Sequence, residues 1–414
     1  MMDKRFLKNL DYTLVIAVFL IICFSLVTIS SATLVSSPMG FKQQQEIWNK
    51  DAPGLNGVSS SEPLGVSLLK YSKMFFSDTV KKQIIWICLS IAILALVLTV
   101  PYEDFRRHRK AIYILNIVLL LLVLSPLGHS AKGATRWINM GSFSLQPSEF
   151  AKIFIIITFA DFLARREGNL NTLKDLLPCF VYIGVPMLVV LKQPDLGTAL
   201  VFMAIMFGML FVAGANPKLV AGLFVGGWSL AIGWVWAHFH LGLWIPLKEY
   251  QLDRLLVFLD PWSKKNILGA GYHVVQSLIA IGSGGLEGKG IYNGSQNQLN
   301  FLPEQHTDFI FSVVGEEMGF IGVTALLLLF FILLYRGIRI ASEAKDLNGT
   351  LLATGVVSML TFHILINVGM VSGIMPVTGV PLPLFSYGGS SMLCNMIAIG
   401  ILLNVHMRRQ KILF

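Results

Sequence analysis

Charge is what this sequence has little of. Only 13% of its 414 residues are Asp, Glu, Lys or Arg, against roughly 25% in ordinary soluble domains. That scarcity, with 55% hydrophobic residues and a mean hydropathy of +0.69, excludes a soluble globular chain and points to a membrane protein. Cysteine is also scarce. Cys23, Cys88, Cys179 and Cys394 all fall inside apolar stretches, which excludes an external disulfide framework and a cysteine metal site. Internal repeats and a separate soluble domain are missing as well, so residues 1–414 read as a single membrane domain. A nucleotide cradle is excluded too: the glycine run GSGGLEGKG (282–290) carries Ser283 and Gly290 where a P-loop needs Gly and Ser/Thr. Its glycines are expected instead where the backbone needs positive φ or close packing.

What is present is a succession of apolar runs. A bilayer core about 30 Å thick takes about 20 residues per helical crossing, and ten runs approach that length: 12–34, 81–100, 111–127, 148–165, 176–191, 196–213, 219–237, 309–334, 350–372 and 387–406. The expected fold is an all-α polytopic membrane protein with ten transmembrane helices. The first run follows Lys4, Arg5 and Lys8 but is too long for the core of a signal peptide, and reads as a retained helix. Alternate connections hold Arg106, Arg107, Arg109 and Lys110; Arg165 and Arg166; Lys218; Arg336 and Arg339; and Arg408, Arg409 and Lys411. By the positive-inside rule these lie in the cytoplasm, with both chain ends. The net charge of +9 thus reads as topology and contact with anionic lipid, and not as nucleic-acid binding.

Two long connections then face outward. The first, within 37–80, is rich in Ser, Gly, Pro and Asn and reads as a mobile loop. The second, 238–308, between helices seven and eight, contains YHVVQSLIAIG (272–282), an apolar helix too short to span and followed by the glycine run. Such a segment is tolerated at membrane depth only against protein or a watery cavity, so this loop is expected to pack on the bundle.

Ionisable residues concentrate beside that loop. In NFLPEQHTDFIFSVVGEEMGF (300–320), Glu304, His306 and Asp308 precede an apolar run that itself holds Glu316 and Glu317. Thr307 or Asp308 can cap the helix. Capping leaves the neighbouring acids unexplained, because charges at the bilayer centre cost at least about 2.5 kcal/mol each. The alternative is a polar cavity with Asp308 at its external mouth, above Ser312 and Gly315 on the same helix face. HSAKGATRWINMGSFSLQPSEFAK (129–152) places Lys132 and Arg136 on the outer side, against the charge bias, which favours an anionic ligand. In the same segment Trp137 fits an interface anchor, Glu149 a first-turn acid and Lys152 its partner. Asp195 in KQPDLGTA (192–199) reads as a turn and helix cap. Ser390 and Ser391, in PVTGVPLPLFSYGGSSM (376–392), can bond a sugar or only backbone.

RWINMGSFSLQPSEFAK, KQPDLGTAL, FLDPW, QSLIAIGSGG, NQLNFLPEQHTDFIFSVVGEE and PLPLFSYGGSS, in this order, resemble the SEDS family of bacterial membrane proteins from about the third span to the C-terminus. SQNQLNFLPEQHTDFIF is more similar to the elongation branch, the RodA type, than to the division branch, the FtsW type. Glu287 departs from an expected aromatic, and the first external loop is long.

The resemblance implies a ten-helix peptidoglycan glycosyltransferase of the bacterial cytoplasmic membrane, polymerising lipid II on the extracytoplasmic face. It further implies that Asp308 is the essential carboxylate and that the partners are a class B penicillin-binding protein and other membrane proteins of the elongation complex. On that reading Asp308 takes the proton of the acceptor hydroxyl. Arg136 and Lys132 then stabilise the leaving pyrophosphate, with a divalent cation, Mg or Mn, as a candidate helper. Trp137, Glu149, Lys152, Glu304 and His306 would line the same cavity, with Ser390 at its edge. A lipid II transporter, for which Asp161, Lys192, Asp195, Glu316 and Glu317 would supply coupling charges, and a non-catalytic scaffold are the competing classes.

Overall fold

Helices stand at all ten positions where the apolar runs lie. The structure, a computed structural model, describes residues 9–33 and 77–409, apart from 127, 132–133, 140, 142–143, 246–248, 264–265, 267–268, 270 and 300. The first external loop falls almost entirely outside these residues. The helices corresponding to the runs are α1 (Tyr12–Thr33), α2 (Asp78–Thr99), α4 (Arg109–Val123), α5 (Pro147–Ala164), α6 (Leu173–Lys192), α7 (Leu196–Val212), α8 (Pro217–Leu241), α12 (Ile310–Ser342), α13 (Leu347–Val371) and α14 (Gly389–Met407). Among the described residues seven of them, α1, α2, α6, α8, α12, α13 and α14, are long and apolar enough to cross a membrane. Helices α4 and α7 are shorter, and α5 carries Glu149, Lys152 and Asp161 within its apolar length. The chain is a mostly helical, polytopic membrane protein.

The connections start these helices with the caps their sequences provide. Ser77, Asp195, Asn216 and Asp346 each accept a backbone N–H of the helix they precede, and Thr172 and Asp175 form a reciprocal capping box. Helices α13 and α14 are buried over most of their length, with α2, α5, α7 and α12 packed around them and α1 against α12 and α2. Helix α8 lies at the margin, with only Val220 of its length buried.

The all-α expectation omits one element. Residues between α4 and α5 form a three-stranded antiparallel sheet, β1 (Gly128–Ala131), β2 (Ala134–Asn139) and β3 (Ser144–Leu145), with Gly128 opposite Ile138 and Ile138 opposite Leu145. Strands of four, six and two residues are too short to leave an alternation that pattern reading detects. Besides these elements, the short helix α3 (Tyr102–Arg107) joins α2 to α4, and α9 (Glu249–Leu259), α10 (Tyr272–Gly284) and α11 (Ser295–Gln298) lie between α8 and α12.

Helix α10 packs on the first turns of α12, where Ser277 Oγ lies 2.8 Å from Ser312 Oγ and donates to the Val371 carbonyl at 2.7 Å. Helix α12 itself is interrupted: Gly319 has φ 61° and ψ −158°. The segment after α10 fills the break. Lys289 and Gly290 donate N–H groups to the Glu316 and Glu317 carbonyls at 3.0 and 2.9 Å, and Phe320 and Ile321 donate to Gly285 and Leu286 at 2.9 and 3.2 Å. Backbone groups released by the break are therefore paired again, as an apolar setting requires. Only glycine allows this approach. A Cβ on Gly284 would stand 1.9 Å from the Gly315 oxygen, and one on Gly288, at φ +80°, 2.2 Å from the Glu317 oxygen.

Gly288→Ala is expected to lose at least about 2 kcal/mol, combining a left-handed conformation with overpacking. Gly168→Ala, at φ +78° in open space, should lose only about 1 kcal/mol. Thermal unfolding of the purified proteins in detergent checks the pair, and equal losses would contradict the docking described.

Candidate functional site

Beside this docked loop lies a cavity of about 450 Å³. Its wall is assembled from separate segments: β2, the start of α5, the α6–α7 turn, α9, the turn before α12, α13 and the loop before α14. Among the sequence-selected residues it gathers Asp308, Arg136, Trp137, Glu149, Lys152, Glu304 and Ser390. Lys132 lies outside the described residues. His306 is not on the wall: its carbonyl accepts the Tyr387 N–H at 3.0 Å and its ring faces the Tyr387 ring at 5.6 Å, so it supports a wall residue from behind.

Asp308 does not cap α12. The capping position is Phe309, which makes no side-chain bond to the helix. Asp308 sits in the turn preceding it, half-buried, with its carboxylate against Gly379, where a Cβ would stand 3.4 Å from Oδ2. The turn is fastened from outside the helix. Asn367 donates to the Asp308 carbonyl at 2.9 Å and to the Val380 carbonyl at 2.8 Å, while Ser386 donates to the Thr307 carbonyl at 2.6 Å. Glu304 adopts φ 56°, a conformation uncommon for a residue with a Cβ and one that collects at functional sites.

The cations are held by different means. Pro147 opens α5 and sets Glu149 and Lys152 one turn apart. Lys152 Nζ lies 2.7 Å from Glu149 Oε1 and 3.0 Å from His363 Nε2, with both members of the ion pair buried. Arg136 donates Nε to the Gln193 carbonyl at 3.4 Å and Nη2 to the Pro194 carbonyl, and its Nη1 is 3.7 Å from Asp195 Oδ1. Asp195 meanwhile accepts the Thr198 N–H at 3.2 Å, so one side chain caps α7 and faces Arg136. Arg254 of α9 adds another guanidinium to the wall and donates to the Val377 carbonyl at 3.2 Å. Ser390 Oγ serves the backbone, accepting from Gln146 N at 3.1 Å and donating to the Ser144 carbonyl at 3.4 Å. Burial pushes the Tyr387 phenol above its ordinary range, which keeps this wall hydroxyl protonated.

Glu316 and Glu317 do not line the cavity. Glu316 accepts from Lys289 Nζ at 2.8 Å and from the N–H groups of Gln296 and Asn297 at 2.9 and 3.2 Å. Glu317 accepts from Ser31 Oγ at 2.5 Å and Asn297 Nδ2 at 2.8 Å. Ser312 and Gly315, expected beneath Asp308, face α10 instead. Residues that sequence reasoning missed are Arg254, His363 and Asn367. His363 carried a signal, an ionisable side chain deep in an apolar run; Arg254 and Asn367 carried none. Among the described residues no group of three or more His, Cys, Asp or Glu side chains converges to hold a metal ion.

A family model described as "Cell cycle protein", covering FtsW, RodA and SpoVE, matches residues 58–411. Stage V sporulation protein E of Bacillus subtilis is 38% identical over 338 residues, 81% of this chain and 88% of that protein. The peptidoglycan glycosyltransferase MrdB of Escherichia coli is 39% identical over 332 residues, 80% and 86% of the two chains. A solved chain from work on coordinated polymerization and crosslinking by a peptidoglycan synthase complex superposes with a TM-score of 0.71 at 30% identity, covering 96% of this chain and 97% of its own. The rod shape determining protein RodA of Thermus thermophilus superposes with a TM-score of 0.64 at 26% identity, covering 97% and 98%.

Asp195→Ala should cost about 1–2 kcal/mol through loss of the cap, whereas Asp195→Asn keeps the cap and should stay within about 0.5 kcal/mol of the parent. Thermal unfolding of the purified variants checks this. A loss in the Asn variant as large as in the Ala variant would show that charge opposite Arg136, and not the cap, dominates.

Proposed function

This chain belongs to the FtsW/RodA/SpoVE family, and from that premise we propose that it is a peptidoglycan glycosyltransferase which polymerises lipid II outside the bacterial cytoplasmic membrane. The observation that carries the proposal is the cavity in which the carboxylate-bearing Asp308, in the turn before α12, shares a wall with Arg136, Lys152 and Arg254.

Placement in the membrane follows from the two ends of α5. At its start Glu149 lines the cavity. Near its end buried Asp161 meets Arg106, Arg109 and Arg165 at 3.0, 3.1 and 2.9 Å. At 1.5 Å rise per residue the 18 residues of α5 extend about 27 Å, close to the hydrocarbon thickness. Asp11 with Arg336 and Glu343 with Arg409 pair in other members of the same alternating set of basic connections. These observations support ten crossings with both termini in the cytoplasm and the cavity opening outward, at the depth of a sugar pyrophosphate on a polyprenyl chain.

In the reaction Asp308 accepts the proton of the acceptor sugar hydroxyl while that oxygen bonds the anomeric carbon of the donor. The bond from that carbon to the pyrophosphate oxygen breaks, and its electron pair leaves with the lipid pyrophosphate. A positioned base supplies about 10²- to 10⁴-fold, so charge stabilisation must supply much of the remainder. Arg136 and Lys152 stand on the wall for that task, and Lys132 belongs to the same outer segment as Arg136. Arg is suited to phosphate by its planar fork. A divalent cation enters this reading as a companion of the substrate's own pyrophosphate.

The partner is a class B penicillin-binding protein, a reading supported by the polymerization and crosslinking complex that the fold resembles. The motif SQNQLNFLPEQHTDFIF and the likeness to MrdB support service in cell elongation alongside other membrane proteins of that machinery. A transporter is less well supported, because Glu316 and Glu317, which would carry coupling charge, are occupied in holding the loop.

Asp308→Asn should retain membrane insertion and lower glycan synthesis from lipid II by at least about 100-fold, measured with purified protein and its transpeptidase partner. Polymerisation at the parent rate would remove Asp308 from the role, and lipid translocation without polymer would favour the transporter.

A further inference from the structure

His363 is the one ionisable side chain of α13 and is buried (4% exposed) where it lines the cavity. Its Nε2 stands 3.0 Å from Lys152 Nζ, which in turn is 2.7 Å from Glu149 Oε1. Paired with a carboxylate, Lys152 is an ammonium with donors only. Nε2 must therefore be the unprotonated ring nitrogen, since a charged ring would set two cations 3.0 Å apart in a buried place.

Glu149 and His363 are the hydrogen-bond partners of Lys152 among the described residues, and they use two of its three N–H groups. One remains for a ligand in the cavity that Lys152 lines. Four residues further along α13, hence on the same helix face, Asn367 holds the carbonyl of Asp308. One face of α13 thus braces both the cation and the proposed base.

We propose that His363 is a positioning residue for glycosyl transfer: as a neutral acceptor it aims the Lys152 ammonium at the anionic leaving group in the cavity. This rests on the function proposed above. Its chemical content is narrow. Position 363 needs a hydrogen-bond acceptor that carries no positive charge, and it does not need a titrating ring.

The test compares His363→Leu, which removes the acceptor, with His363→Gln, which keeps one, in full-length protein with its transpeptidase partner and lipid II. His363→Leu should lower kcat/KM about 10- to 100-fold, the effect of losing a hydrogen bond to a charged group. His363→Gln should stay within about threefold of the parent. Lys152→Met should lower kcat/KM as much as His363→Leu, and the double variant should be no worse than Lys152→Met alone. If His363→Leu fails to accumulate, His363→Gln decides alone: a kcat/KM more than about tenfold below the parent would overturn the proposal. So would full activity of His363→Leu beside an inactive Lys152→Met, which would leave the cavity's function standing. Full activity of Lys152→Met would overturn the proposal together with the part given to Lys152, leaving Asp308 to be judged by its own variant.

Discussion

A charge held at bilayer depth survives only where donors or a counter-ion surround it, and this requirement organises the molecule. Glu316 and Glu317 are buried in α12, and the groups that satisfy them come from Ser31 of α1 and from the segment 289–297. Those hydrogen bonds draw the segment between α8 and α12 onto the helix. The break at Gly319 then accepts the glycine segment, and α10 is seated beside the first turns of α12. The turn carrying Asp308 enters α12 at this end, and Asn367 of α13 and Ser386 fasten its backbone.

The cavity follows the same electrostatic rule with a different result. Glu149 and Lys152 neutralise each other, and Asp195 is divided between a helix cap and Arg136. Asp308 is held through its backbone by Asn367, and its carboxylate lies beside Gly379. The base of the proposed transfer must be fixed in place in this way. Helix α13, deep in the bundle, is stiff enough to brace the site because it is packed on nearly every face.

The positions of the helices are legible in the apolar runs because hydrophobic length is a property of contiguous sequence. The small sheet is not, since its pairing depends on residues that meet only after the chain turns. The same distinction runs through the site. Asp308, Arg136, Glu149 and Lys152 stand out as charges beside apolar runs, and the cavity brings them together. Glu316 and Glu317 have the same local appearance but a different destination, which depends on where residues 289–297 fold. Asp308 could be read equally as a cap, and only the helix start at Phe309 decides against it. Arg254 reaches the wall through the fold of the long connection between α8 and α12, which no local pattern predicts.

The central claim is that the sugars of lipid II meet Asp308 in the outward-facing cavity. The most direct measurement is photo-crosslinking of the protein with a lipid II analogue carrying the reactive group on its disaccharide, followed by mapping of the modified peptides. The account predicts attachment in 304–308 and 376–382, the two segments in contact at Asp308 and Gly379. Attachment instead around Arg106, Arg109 and Arg165, at the other end of α5, would contradict it.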